Sequence, residues 1–239
     1  MADELAARLT RVREQIARAA QRAGRRPEEI TLVGVSKRQP AEAVAALVTA
    51  GLSHCGENFV QEAREKVPQV AARLAAGAAA PRWHFVGRLQ RNKAKLTLQL
   101  FDLVESVDRP ELAEALAAQA VAAGRVLEVL LQVNVSGEAQ KGGAEPERLA
   151  ALALAVSRLS ALRVLGLMTV PAASEPPENA RAAFARLREL RDRLCRSQPG
   201  LTLPELSMGM SADFEIAIEE GATIVRVGSA LFGARGGTT

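Results

Sequence analysis

A lysine closes the apolar run Ile30-Thr31-Leu32-Val33-Gly34-Val35-Ser36-Lys37, so one primary amine stands at the carboxyl end of what reads as the first strand. An amine in that position can condense with a carbonyl compound to form an imine. Few other reactive groups compete with it, because the chain has no tyrosine, two histidines and two cysteines. Lys37 is therefore a candidate catalytic centre, a cofactor anchor, or a solvated charge at a strand end.

Two loops near the other end of the chain suit an anion. Ser207-Met208-Gly209-Met210-Ser211 precedes the helical stretch Ala212–Glu220, and Gly228-Ser229-Ala230 opens the terminal segment. Each joins small residues, backbone N–H groups and a hydroxyl at a helix start, which is what a phosphate needs. The simpler role for Ser211 or Ser229 is that of an N-cap. An amine on one side and a phosphate site on the other point to a phosphorylated aldehyde between them.

Arg226 lies in the apolar run Ile224-Val225-Arg226-Val227 and shares the facing of Gly228 by strand alternation. Buried unpaired, it would cost several kcal/mol, so it needs an acceptor: a carboxylate from a neighbouring strand, or a ring nitrogen or phosphate of a cofactor. Asn58, after Gly56-Glu57, either bonds a ligand or caps the helix starting at Phe59. Ser106, Asp108, Asn134, Ser136, Met168 and Thr169 are expected to line the same mouth. His54 and Cys55 are adjacent and so face opposite ways, which argues against a Cys/His couple. Arg88, Arg91, Lys93 and Lys95 could attract an anion, the simpler reading being a solvated loop and helix face.

These residues are carried by alternating elements. Leu5, Leu9, Val12 and Ile16 mark an amphipathic leading helix ending near Gly24 and Pro27. Strands are predicted at Ile30–Ser36, Ser53–Glu57, Arg82–Gly87, Leu103–Val107, Leu127–Val135, Val164–Thr169, Glu205–Met208 and Thr223–Gly228. Helices such as Ala41–Ala50, Pro110–Ala123, Pro146–Leu159 and Glu178–Cys195 lie between them, the last buried through Phe184, Leu187, Leu190 and Leu194. Eight such units predict a single (β/α)8 barrel, a TIM barrel with one extra N-terminal helix, whose active site sits at the carboxyl ends of the strands. The alternative is an open doubly wound sheet, but no GxGxxG follows the first strand. Ala72–Pro81 reads as a loose loop and Pro171–Pro177 as the other linker-like stretch, so one domain over 1–239 is expected.

Composition narrows the function further. The net charge of +4 would suit an anionic ligand, but basic residues are interleaved with carboxylates and aromatics make up 3%, so nucleic acid is not expected. Cys55 and Cys195 have neither metal-binding nor redox spacing, and no metal site is predicted. No run reaches membrane-spanning length and no signal segment opens the chain, so a cytoplasmic protein with reduced thiols is expected.

Taken together, the stretches Leu32–Lys37, Gly56-Glu57-Asn58-Phe59-Val60-Gln61-Glu62, Trp83–Lys93, Leu206–Ser211 and Val225–Arg235 closely resemble the pyridoxal phosphate homeostasis protein family. That resemblance implies an alanine racemase-like barrel of fold type III, carrying pyridoxal 5′-phosphate (PLP) as an imine on Lys37. It also implies Ser207, Gly228 and Ser229 around the phosphate, Arg226 toward the pyridine nitrogen and Asn58 near the ring. With the neighbouring wall and loop positions, the expected cofactor-binding set is Lys37, Asn58, Met168, Ser207, Met208, Gly209, Arg226, Gly228 and Ser229. Phe59 stands where the family often has tyrosine, and Ser229 where threonine is common.

An arginine at the pyridine nitrogen disfavours ring protonation and weakens the electron sink a racemase requires. Two-base racemisation in such a barrel also uses a tyrosine, and this chain has none. The expectation is a PLP carrier without turnover of its own, no catalytic residues, monomeric, with PLP-dependent apo-enzymes as candidate recipients. An amino-acid racemase and a cofactor-free imine-forming aldolase are the alternatives.

Overall fold

Eight strands close into a parallel barrel in sequence order, the last pairing with the first. The computed structural model describes residues 1–138, 142–171 and 176–233. Ala234 and Arg235 of the last matching stretch, and residues 172–175 of the Pro171–Pro177 stretch, lie outside the described residues.

The strands are β1 (Thr31–Val35), β2 (His54–Glu57), β3 (Arg82–Phe85), β4 (Leu103–Val107), β5 (Leu127–Gln132), β6 (Leu162–Met168), β7 (Glu205–Ser207) and β8 (Ile224–Val227). All eight coincide with predicted runs, though β5 stops three residues earlier and β6 starts two residues sooner than expected. Around them lie α1 (Ala2–Arg22), α2 (Ala41–Thr49), α3 (Val60–Ala71), α4 (Ala94–Leu100), α5 (Pro110–Ala122), α6 (Leu149–Ser157), α7 (Arg181–Ser197), α8 (Phe214–Glu219) and α9 (Ser229–Phe232). The predicted helix at Glu178 begins instead as a 3-10 turn, Pro177–Ala180, and turns α-helical at Arg181.

The leading helix forms as its pattern predicts, with Leu5, Leu9, Val12 and Ile16 buried on one face. Each of the larger side chains contributes about 2 kcal/mol on burial. That face packs against α8, α2 and α9, so the extra helix covers the seam where β8 meets β1. Polar contacts fix it there: Arg22 pairs with Glu215 and Glu219, and Arg25 donates to the carbonyls of Ile218 (3.1 Å) and Ala222 (2.7 Å).

Strand alternation sorts side chains into two layers. The large apolar core lies between barrel and helices, where Cys55, Val104, Val107, Leu131, Leu206, Met208 and Val225 are buried. A smaller cluster of Val33, Leu103, Leu130, Met168 and Ile224 sits apart from it, on the alternate strand positions that face the barrel interior. The rest of that interior is polar. Among the described residues no helix is long and apolar enough to cross a membrane, and no group of His, Cys, Asp or Glu has metal-binding geometry.

Candidate functional site

Beyond Val35 the chain leaves β1 in a tight turn, with the Gln39 N–H bonded to the Ser36 carbonyl at 2.9 Å. Lys37 thus stands two residues past the strand, within the turn rather than at the strand's last position. Arg38 beside it adopts φ 60°, the left-handed region, where a side chain costs about 1–2 kcal/mol. Such strain persists only where surrounding contacts hold the turn.

Lys37 lines a cavity of about 330 Å³ at the carboxyl ends of the strands, together with Val35, Gln39, Asn58, Val86, Val170, Met210, Ser211, Arg226, Gly228 and Ser229. Five of the nine expected binding residues therefore meet in one space: Lys37, Asn58, Arg226, Gly228 and Ser229. The other four do not line it. Ser207 lies below, bonded to Arg226 and Glu105. Met168 belongs to the inner apolar cluster, and Met208 packs in the outer layer. Gly209 contributes its carbonyl, which accepts the Arg226 N–H at 3.0 Å. A Cβ on Gly209 would sit 2.6 Å from Ala217 Cβ at φ +91°, so only glycine fits that turn.

The roles left open by sequence now separate. Asn58 does not cap α3: Phe59 holds the N-cap position without a side-chain cap bond, and Asn58 Oδ1 is buried with no hydrogen-bond partner. Its backbone is wedged against β3's exit, where a Cβ on Gly87 would fall 2.0 Å from the Asn58 carbonyl oxygen. Nor does Ser211 cap α8, whose N-cap is Asp213. Instead its hydroxyl oxygen accepts the N–H groups of Gly228 (3.1 Å) and Ala230 (3.3 Å), tying the β7 loop to the β8 loop.

Arg226 has protein acceptors and also borders the cavity. Its guanidinium donates to the Ser207 hydroxyl and to the Thr169 carbonyl (2.7 Å), with Glu105 Oε2 at 3.7 Å, and it still borders the cavity. The carboxylate comes from β4, across the barrel, rather than from an adjacent strand. Burial pulls the arginine's pKa down, and Glu105 and Asp213 oppose that. Burial alone would raise Glu105, but His84, Arg226 and Ser207 outweigh it and hold the carboxyl below its ordinary range.

From Glu105 the polar chain continues to His84 Nδ1 at 2.6 Å, and His84 Nε2 meets His54 Nδ1 at 2.9 Å. Because an ionised carboxylate only accepts, His84 Nδ1 carries the proton toward Glu105. Burial, then His84 and Arg82, depress the His54 pKa to about 4. Both histidines thus belong to a line running from the cavity floor to the start of β2. Cys55 faces the outer core, its thiol pushed up to about 12 by burial.

The six residues expected along the mouth are absent from the lining. Asn134 and Ser136 are satisfied within their own turn, Thr169 donates to the Val133 carbonyl, and Asp108 pairs with Arg109. Ser106 follows a register shift in β4, where Val104 and Val107 both face the outer core and break the alternation. Phe59, half exposed, borders a separate groove with Arg88, Lys93 and Arg109 instead of walling the cavity.

The family model for the alanine racemase N-terminal domain matches residues 7–236. The chain is 47% identical over 228 residues to the pyridoxal phosphate homeostasis protein of Aquifex aeolicus, covering 95% of this chain and 97% of the relative. Identity to the protein of the same name in Pseudomonas aeruginosa is also 47%, over 231 residues, covering 97% and 96%. Among solved structures, PipY of Synechococcus elongatus with PLP bound superposes with a TM-score of 0.85 at 36% identity, covering 96% of this chain and all of PipY.

Proposed function

We propose that this chain, which belongs to the pyridoxal phosphate homeostasis protein family on the alanine racemase N-terminal domain fold, binds PLP as an imine on Lys37 and buffers or delivers it. The observation that carries the reading is the shared cavity, in which a strand-end amine, a buried arginine and two glycine- and serine-rich loops border one space.

The residues present fit such a cofactor. A volume of about 330 Å³ lies in the range of small-ligand sites. The buried Asn58 Oδ1, lacking a protein partner, offers an acceptor to a ligand donor. The N–H groups of Gly228 and Ala230 converge on the Ser211 hydroxyl oxygen, an arrangement of backbone amides that an anionic oxygen could enter by displacing that hydroxyl, and Ser229 borders the same end. PLP supplies an electrophilic aldehyde and, in enzymes, an electron sink.

Each residue then has a task. Lys37 holds the aldehyde carbon, Asn58 orients the ring, Gly228 and Ser229 hold the phosphate, and Arg226 meets the pyridine nitrogen. Ser207 and Gly209 support Arg226 from below, and Met168 fills the barrel beneath them. Glu105 favours the charged guanidinium, which keeps a proton off the facing nitrogen. With no tyrosine to serve as a second base, the reading is a carrier in one domain over 1–239, cytoplasmic and monomeric, with apo-enzymes as recipients.

The test is the visible spectrum of protein incubated with PLP, followed by borohydride reduction and peptide mapping. Label on Lys37 and loss of label in Lys37→Ala are expected. A colourless protein, or label elsewhere, overturns the reading. Incubating the loaded protein with amino acids in deuterated water reads turnover, and rapid Lys37-dependent exchange of the α-hydrogen would make it an enzyme.

A further inference from the structure

Lys66 is buried on α3, outside the barrel, with its side chain 7% exposed, and has no place among the residues around the cavity. Its ammonium nitrogen lies 2.6 Å from each of three oxygens: Glu57 Oε1, Glu62 Oε1 and the main-chain carbonyl of Ser36. Two of these contacts bear directly on the turn that carries Lys37. The Ser36 carbonyl belongs to the peptide unit entering Lys37. Glu62 Oε1 also accepts the N–H of Arg38, at 2.5 Å, and that N–H belongs to the peptide unit leaving it. Glu57 closes the group from below, taking the Ser36 hydroxyl at 2.6 Å.

The two peptide units flanking the reactive lysine are therefore fastened to α3, one by the Lys66 ammonium and the other by the Glu62 carboxyl group, with Glu57 of β2 bracing Lys66 and Ser36. The same contacts explain how Arg38 is held at φ 60°. We propose that Lys66 and Glu62 are positioning residues for Lys37: they hold its turn so that the amine addresses the cavity in one orientation, and so set the rate and strength of covalent capture. The inference rests on the PLP reading of the cavity. It predicts that the clamp acts on the amine–aldehyde condensation, which releases one water, and leaves non-covalent binding by the phosphate end untouched.

Two ligands separate these contributions. PLP reports both binding and capture, whereas pyridoxine 5′-phosphate, which has an alcohol in place of the aldehyde, reports binding alone. Lys66→Met would strand the Glu57 carboxyl and endanger the fold, so Glu62 is the informative position, its side chain being 25% exposed. Glu62→Gln keeps an oxygen for both donors; Glu62→Leu keeps none.

The assay follows capture by absorbance in a stopped-flow instrument and by borohydride-trapped label on Lys37. Pyridoxine 5′-phosphate affinity is measured by calorimetry and folding by thermal unfolding. Glu62→Leu should slow capture by about tenfold or more, the scale of a small misplacement of a reacting group, with pyridoxine 5′-phosphate affinity within about twofold of the parent. Glu62→Gln should restore capture. Capture unchanged in Glu62→Leu, an equal loss for both ligands, or no rescue by Gln overturns the inference alone. Parent protein that binds neither compound overturns the cofactor reading, and the inference falls with it.

Discussion

Replacing Glu105 with glutamine tests whether the barrel interior is organised by charge. The carboxylate lies 3.7 Å from the Arg226 guanidinium, and both side chains are almost fully buried. At an effective dielectric of about 20, Coulomb's law gives an attraction of about 4–5 kcal/mol at that distance. Removing one member of a buried pair is separately expected to cost about 3–5 kcal/mol, because the other charge stays behind. Hydrogen bonding adds to the loss: the introduced amide can still accept from His84 through its oxygen, but its NH₂ cannot accept the Ser207 proton that Glu105 Oε2 takes at 2.5 Å. We expect Glu105→Gln to lower the free energy of unfolding by about 4 kcal/mol in urea titration, a large part of the roughly 5–15 kcal/mol of an ordinary domain. The pair Glu105→Leu with Arg226→Met should lose much less than the sum of the two single changes, since an apolar pair leaves no orphaned charge. A loss below about 1 kcal/mol for Glu105→Gln, or additivity in the double variant, would refute the reasoning.

Two further outcomes follow from the same geometry. His54 has its folded pKa at about 4 against 6.5 in the unfolded chain, so between those values the unfolded state binds the extra proton and stability falls as pH drops. Allowing for screening at a partly exposed ring, that contribution is about 1–2 kcal/mol, and His54→Gln should flatten the unfolding profile between pH 6.5 and 4 by this amount; an unchanged slope would contradict it. Gly87→Ala should cost about 1–3 kcal/mol and weaken pyridoxine 5′-phosphate binding, because the new methyl collides with the Asn58 carbonyl oxygen; calorimetry showing parental affinity would count against Asn58 as a ligand-facing residue.

The barrel was legible because each strand is an apolar run bounded by turn residues, and Lys37, Asn58, Arg226, Gly228 and Ser229 were legible because strand ends converge in such a barrel. Met208 fell outside the site for a reason the alternation rule already contains: its neighbour Ser207 faces inward, so Met208 faces the helices. Glu105 went unseen within Leu-Val-Glu-Ser-Val because its partners come from β3, β7 and β8, distant in sequence. Ser106 lies within the irregular stretch of β4 between Val104 and Val107, its hydroxyl buried without a partner, and that irregularity is a tertiary effect with no local signature. In Glu62 and Lys66 a four-residue spacing reads as an ordinary solvent-facing helix pair; only packing against the Lys37 turn buries it.

The seam between β8 and β1, covered by α1, gives the protein a particular folding history. One wall of the cavity is made soon after the first helix and the adjoining wall only by the last strand and its loop, so no ribosome-bound or truncated chain lacking β8 possesses the whole pocket. Contacts of such long sequence separation form late, after most loop-closure entropy has been met. A ligand spanning the seam would therefore bind only the finished ring, and by mass action would act as a clasp on its closure.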